Sequence, residues 1–112
     1  MGTRRYDAIA ALARAAQRRF APPADLPACF ALTDPERTPD PVQLARRLPR
    51  GTGLILRHFG LDDQIALARD LARIARQRGL VFLVSDDPVL ARRVGAAGVH
   101  WPQRHAFRSR AW

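Results

Sequence analysis

Four short apolar runs, separated by segments of helical character, constrain the fold of this chain more than any other feature. The runs lie at 28–33, 53–59, 80–84 and 97–101. They are almost continuously apolar, which is typical of strands buried on both faces, as in a parallel sheet covered by helices. Strands that alternate with helices favour βαβ units joined by right-handed crossovers. The sequence therefore predicts an α/β fold with about four parallel strands.

The helices between these runs are marked by residues that begin or end helices. Asp40 and Asp87 each precede a proline, so each can cap a helix whose first residue is proline. Gly79 and Gly95 are typical residues after a helix end. The predicted helices are 41–48, 64–78 and 89–94. We expect the longest one, capped by Asp62 and Asp63, to bury Ile65, Leu67, Ala68, Leu71, Ala72, Ile74 and Ala75.

The first twenty residues predict a further, amphipathic helix. Arg14 interrupts its apolar segment, so this segment does not fit the apolar region of a signal peptide. No apolar stretch of the chain approaches the ~18 residues of a membrane span. We expect residues 1–22 to dock on a domain that spans 27–112 rather than to lie on a membrane surface. The apolar face of this helix consists of Tyr6, Ile9, Ala13, Ala16 and Phe20.

The charge balance has a compositional explanation. The chain has 19 Lys and Arg residues against 10 Asp and Glu, and all 19 are arginine. The absence of lysine excludes chemistry that needs one, such as a Schiff base. A net charge of +9 can serve nucleic-acid binding, but abundant Ala, Leu, Arg and Pro favour a GC-rich coding bias. The single cysteine, Cys29, excludes an internal disulfide and indicates a reducing, cytoplasmic compartment.

Polar residues follow each predicted strand, at its carboxyl end. The opposite ends of the strands carry mainly Pro, Gly, Ala and Leu. In (β/α)8 (TIM) barrels the functional residues lie where strands end and βα loops begin. This polarity favours part of such a barrel over a small doubly wound sheet, which periodicity alone leaves open. The polar residues are Thr33 and Asp34, Arg57 and His58, Ser85 and Asp86, and His100 with Gln103.

Three segments carry the motifs of a known family. FLVSDDPVLA at 82–91, followed by VGAAGVHWPQ at 94–103, is similar to a strand, an Asn-Asp pair and a helix that ends in VGADGVHLGQ. Leu32-Thr33-Asp34 is similar to a first-strand ITD, and Leu56-Arg57 stands where the second strand carries QLREK. The sequence thereby resembles the thiamine phosphate synthase and TenI family of (β/α)8 barrels. The resemblance runs from about Pro27 to Gln103 and implies a truncated half-barrel that corresponds to the first four strands.

This resemblance implies a reaction and the residues for it. The family condenses hydroxymethylpyrimidine diphosphate with thiazole phosphate, which forms thiamine phosphate and releases pyrophosphate. By resemblance, Arg57 and Asp86 are catalytic: Arg57 contacts phosphate and Asp86 holds the Mg2+ cofactor. Ser85 replaces the family's Asn and His58 replaces its Glu, and we expect both, with Arg57, to bind substrate. The family's second metal carboxylate falls at His105, and an imidazole is a poor Mg2+ ligand.

These departures leave more than one function open. The family's Gln and Lys are Ile55 and Phe59 here, which indicates a divergent member of the family. The alternatives are a non-catalytic phosphate-ligand-binding or regulatory paralogue and, second, an arginine-rich nucleic-acid-binding protein. We expect His58 and His100 to be packed barrel-mouth residues rather than general bases, and Asp34 to be a turn residue. The open edges of a half-barrel further predict a homodimer or a poorly folded monomer.

Overall fold

A computed structural model of the chain describes residues 2–20, 26–57 and 64–102. Within these ranges four strands form one parallel sheet accompanied by four helices, so the predicted α/β class is confirmed. In chain order the elements are α1 (Gly2–Arg19), β1 (Phe30–Leu32), α2 (Pro41–Arg47), β2 (Gly53–Leu56), α3 (Gln64–Arg78), β3 (Val81–Ser85), α4 (Pro88–Val94) and β4 (Gly98–His100).

The arrangement of strands and helices is that of a barrel sector. The strands lie in chain order, β1-β2-β3-β4, and every neighbouring pair is parallel. Tyr6 of α1, Leu44 of α2, Leu71 of α3 and Leu90 of α4 share one core with one face of the sheet. A doubly wound sheet has helices on both faces, whereas helices on one face of sequential strands are typical of a (β/α) barrel. The sheet residues of this core are Ala31, Leu54, Leu56, Phe82, Val84 and Val99.

The face of the sheet opposite the helices is only partly covered. Ile55, in the centre of β2, is 5% exposed, but Phe30 and Leu32 of β1 are 42% and 46% exposed. The expectation that every strand is buried on both faces is therefore wrong for β1. The physical reason is that β1 is an edge strand, so its side chains on this face have β2 as their neighbour on one side only.

Helix α1 packs against α2. Tyr6 is 2% exposed, and its hydroxyl accepts a hydrogen bond of 3.0 Å from the backbone N–H of Asp40. Arg47 of α2 forms a 2.8 Å ion pair with Asp7 of α1. Phe20, expected on the buried face, is 58% exposed because it follows the last helical residue. None of the helices in the described ranges combines the length and the apolar character that a membrane span requires.

The short helices begin and end within one residue of the predicted bounds, at Pro41–Arg47 and Pro88–Val94. Asp40 accepts a hydrogen bond from the N–H of Gln43, and Asp87 accepts one from Leu90, so each satisfies a donor in the first turn of its helix. Gly95 ends α4 with a φ of 74°, a left-handed conformation that glycine adopts without strain. In α3 five of the seven predicted residues are buried, whereas Leu67 is partly buried and Ile65 is 36% exposed. The expected caps Asp62 and Asp63 lie outside the described residues.

A candidate phosphate site at the carboxyl ends of the strands

Three of the predicted site residues, Arg57, Ser85 and Asp86, lie at one end of the sheet. Leu56 pairs with Val84, and Ser85 pairs with His100, so Arg57 follows β2 at the level where Ser85 ends β3. Successive strand residues point to opposite faces. Since Leu56 and Val84 face the helices, Ser85 and His100 lie on the face away from them. The carboxyl ends of β2, β3 and β4 thus form one edge.

Arg57 is held by its backbone and leaves its side chain exposed. Its N–H donates a 3.2 Å hydrogen bond to the hydroxyl of Thr33, a fully buried residue at the end of β1. The N–H of Thr33 in turn donates to the carbonyl of Ile55 at 2.9 Å. In the described parts of the chain neither ion pair involves Arg57. Arg57 is therefore anchored through its backbone, while its guanidinium is a solvent-accessible cation at the carboxyl end of the sheet.

Asp34 is a turn residue, as expected. Its Oδ1 accepts hydrogen bonds from the backbone N–H of Arg37 at 2.7 Å and of Glu36 at 2.9 Å. The hydrogen bond from Arg37 is the main reason that the pKa of Asp34 is lowered from its ordinary value; burial opposes the shift, and the charges of Arg37 and Arg57 add to it. The carboxylate is thus ionised and committed to the β1–α2 turn.

Ser85, Asp86 and His100 join the ends of β3 and β4. The Ser85 hydroxyl lies 3.0 Å from Nδ1 of His100, and Ser85 is 1% exposed. The N–H of Asp86 donates to the carbonyl of His100 at 2.8 Å. Asp86 has a φ of 57°, in the left-handed region, where a non-glycine residue costs on the order of 1–3 kcal/mol. Strain of this kind is concentrated at functional sites, which supports the choice of Asp86 as a site residue.

Comparison with known proteins gives the site a family context. No family model matches the chain. The thiamine-phosphate synthases of two strains of Acidithiobacillus ferrooxidans are each 39% identical to it over 80 residues. The chain is therefore similar, in a divergent form, to part of these thiamine-phosphate synthases. The match covers 63% of the chain but only 37% of each synthase, so the chain spans far less than the full length of these relatives.

The similarity to thiamine-phosphate synthases confirms the resemblance seen in the motifs, but the described residues alone do not form a metal site. Within the described ranges no group of three or more His, Cys, Asp or Glu side chains could hold a metal ion. Mg2+ prefers six oxygen ligands in octahedral geometry, and Asp86 offers one carboxylate while Asp34 is occupied by its turn. His105 lies outside the described residues. The described residues therefore do not fit a Mg2+ site, and Asp86 as a ligand stays a prediction.

His58, the remaining predicted substrate-binding residue, also lies outside the described residues. Sequence reasoning placed His100 at the barrel mouth but missed its hydrogen bond to Ser85. The signal was present in the sequence, since each residue is a polar position at the end of one of two consecutive apolar runs. Consecutive strands of a barrel are neighbours, so their ends meet.

A cavity of about 200 Å³ lies at the other end of the sheet, between α1 and the beginnings of β1 and β2. Its walls are apolar apart from Thr52 and the thiol of Cys29. Burial raises the pKa of Cys29, which keeps the thiol protonated and a poor nucleophile. The predicted site residues Arg57, Ser85 and Asp86 lie at the opposite, carboxyl end, and Asp86 is the non-glycine residue with a positive φ in the described part of the chain. We therefore assign the candidate site there.

Proposed function

We propose that this chain binds a phosphorylated ligand of the thiamine-phosphate synthase reaction at the carboxyl ends of its strands, with Arg57 as the phosphate-binding residue. The observation that carries the proposal is the exposed Arg57 side chain on the edge formed by the ends of β2, β3 and β4. Similarity to thiamine-phosphate synthases supplies the ligand class. The candidate ligand is hydroxymethylpyrimidine diphosphate, whose pyrophosphate leaves in that reaction.

The proposed chemistry is electrostatic. A guanidinium can donate two parallel hydrogen bonds to phosphate oxygens, and these charge-assisted bonds are stronger than neutral ones. A preformed donor of this kind stabilises charge that develops on a leaving pyrophosphate. Ser85, which is almost fully buried, supports the site through its contact with His100. His58 is proposed as a substrate-binding residue on the resemblance alone.

The chain has two possible roles within this proposal, a transferase of thiamine biosynthesis and a phosphate-ligand-binding paralogue without turnover. Both are placed in the cytoplasm, where Cys29, a free thiol in the structure, would stay reduced. The transferase role needs further groups, in addition to Arg57, that neutralise the charge of the leaving pyrophosphate. Addition of Mg2+ and thiazole phosphate to the bound chain separates the roles, because only the transferase forms thiamine phosphate.

Calorimetric titration with hydroxymethylpyrimidine diphosphate, with and without Mg2+, tests the proposal. We expect Arg57→Ala to weaken binding by about tenfold or more, since a hydrogen bond to a charged group contributes about 1.5–3 kcal/mol. Arg69→Ala is the matched control, because Arg69 is an exposed arginine on the outer helix α3. No binding by the wild-type chain, or an equal loss in both variants, would contradict the proposal.

We also propose that two copies associate through the open face and edges of the sheet. Strands β1 and β4 are both edges, and Phe30 and Leu32 are exposed large apolar side chains on β1. Unpaired strand edges and exposed apolar surface favour association. Light scattering after gel filtration should give a dimer for the wild-type chain and for Ile65→Glu, a control on the outer helix α3, but a monomer for Leu32→Glu. A wild-type monomer would refute this association.

A further inference from the structure

Ser85 and His100 form a side-chain pair whose geometry goes beyond the proposed role of Arg57. The two residues are directly paired in the register of β3 and β4, on the face of the sheet away from the helices. Ser85 Oγ lies 3.0 Å from His100 Nδ1. Ser85 is 1% exposed, whereas His100 is partly exposed. A buried hydroxyl thus occupies one ring nitrogen and leaves the other, Nε2, for a further partner.

The direction of this hydrogen bond follows from the burial of Ser85. A buried donor without an acceptor costs about 1–3 kcal/mol. Among the described residues, Nδ1 of His100 is the hydrogen-bond partner of the Ser85 hydroxyl. If the hydroxyl donates to Nδ1, its hydrogen is satisfied, and the neutral ring carries its own hydrogen on Nε2. The reverse direction would bury the hydroxyl hydrogen without that acceptor, so the geometry favours the Nε2–H tautomer.

We infer that His100 donates a hydrogen bond from Nε2–H to a phosphate oxygen of the ligand, and that Ser85 is the positioning residue that fixes this tautomer. The inference rests on the proposed function, since Arg57 supplies the cation at the same edge. The backbone bond from Asp86 N–H to the His100 carbonyl, 2.8 Å long, holds the end of β4 in place. The His100 ring is thus held at Nδ1 by Ser85 and through its own backbone, so its Nε2–H points in one direction. A hydrogen bond to a phosphate oxygen requires such a fixed orientation.

The tautomer can be measured on the 112-residue chain without any ligand. Nitrogen-15 NMR of the histidine ring distinguishes a protonated from an unprotonated nitrogen. We expect His100 to be protonated at Nε2 and bare at Nδ1, and Ser85→Ala to populate both tautomers. Ser85→Thr, which keeps the hydroxyl, should restore the wild-type pattern. A wild-type ring that is protonated at Nδ1 would overturn the inference.

Titration with inorganic pyrophosphate tests the contact itself. We expect His100→Ala to weaken binding about tenfold, Ser85→Ala to weaken it about threefold, and Ser85→Thr to bind like the wild-type chain. His100→Gln keeps an amide donor near the place of Nε2 and should recover part of the loss, which a merely structural role would not predict. Circular dichroism confirms that each variant is folded.

The outcomes separate the two proposals. If the wild-type chain binds pyrophosphate and neither His100 variant weakens it, the role of His100 is refuted while that of Arg57 stands. If the wild-type chain does not bind pyrophosphate, the proposed function fails and the role of His100 fails with it. Equal losses in Ser85→Ala and Ser85→Thr would refute the positioning role of the hydroxyl.

Discussion

Gly53 and Phe30 provide a sharp test of how β1 is held against β2. The two residues are directly paired in the register of these strands. A Cβ added at Gly53 would overlap Cδ1 and Cε1 of the Phe30 ring and lie 2.8 Å from its Cγ. The ring therefore lies over the glycine, in space that any other residue at 53 would fill. Gly53→Ala should force the ring away from its place.

Two opposing effects determine how much Gly53→Ala changes the free energy of unfolding. Overpacking costs about 1–3 kcal/mol, and alanine is better than glycine in a strand by about 0.5–1 kcal/mol. We expect Gly53→Ala to lower the free energy of unfolding by about 0.5–2 kcal/mol. Phe30→Ala should cost about 2 kcal/mol, about half of the usual Phe→Ala loss, because Phe30 is 42% exposed. Once the ring is removed, Gly53→Ala should instead stabilise the chain by about 0.5–1 kcal/mol.

Urea unfolding followed by tryptophan fluorescence measures all four chains of this double-mutant cycle. The preference for alanine cancels in the cycle, so the coupling energy equals the overpacking term, about 1–3 kcal/mol. The decisive result is the change of sign of Gly53→Ala between the two backgrounds. An equal effect of Gly53→Ala with and without the Phe30 ring would refute the reasoning and with it the described contact between β1 and β2.

Three further predictions concern α1, α4 and the β1–α2 turn. Tyr6→Phe removes the acceptor of the Asp40 N–H and should lower the free energy of unfolding by about 0.5–1.5 kcal/mol in urea; no change would contradict the docking of α1. Asp87→Ala removes the cap that accepts from Leu90 and should cost about 1 kcal/mol of thermal stability, whereas a neutral result would exclude this cap. The pKa of Asp34 is lowered in the folded chain from its ordinary value of 3.8. The Asp34 carboxylate therefore stabilises the fold at pH values above 3.8. This stabilisation is lost as the pH falls from 3.8 through the lower pKa of the folded state. Carbon-13 NMR of the Asp34 carboxyl should show the lowered pKa, and Asp34→Asn should weaken the dependence of unfolding on pH in this window; a pKa at or above the ordinary value would refute it.

The elements that the sequence predicts well are those with local causes. Asp40 and Asp87 stand before prolines, and both cap their helices in the structure. The order of strands also follows from the sequence, because strands that alternate with helices pair in succession. The choice between a barrel sector and a doubly wound sheet did not follow from periodicity. In the sequence, the polar residues at the strand ends favoured the barrel sector. In the structure, all four helices share one core with a single face of the sheet, which is the barrel arrangement.

The errors concern burial, which depends on distant parts of the chain. Phe30 and Leu32 have the composition of a buried strand, but β1 is an edge. Ile65 has helical spacing with the buried stripe, yet it lies in the first turn of α3 and is partly exposed. The bond between Ser85 and His100 joins residues 15 positions apart, and its geometry depends on the register of β3 with β4, which no local pattern states.

NMR mapping with hydroxymethylpyrimidine diphosphate tests the central claim most directly. Changes in the backbone amide chemical shifts of the 112-residue chain locate the ligand on the structure. Moderate salt suppresses non-specific contacts with the many exposed arginines. The account predicts that the largest changes in chemical shift occur at 33–34, 57, 85–86 and 100, which are the carboxyl ends of the four strands. Shifts spread over the arginines of α1, α3 and α4, with the strand ends unchanged, would contradict it.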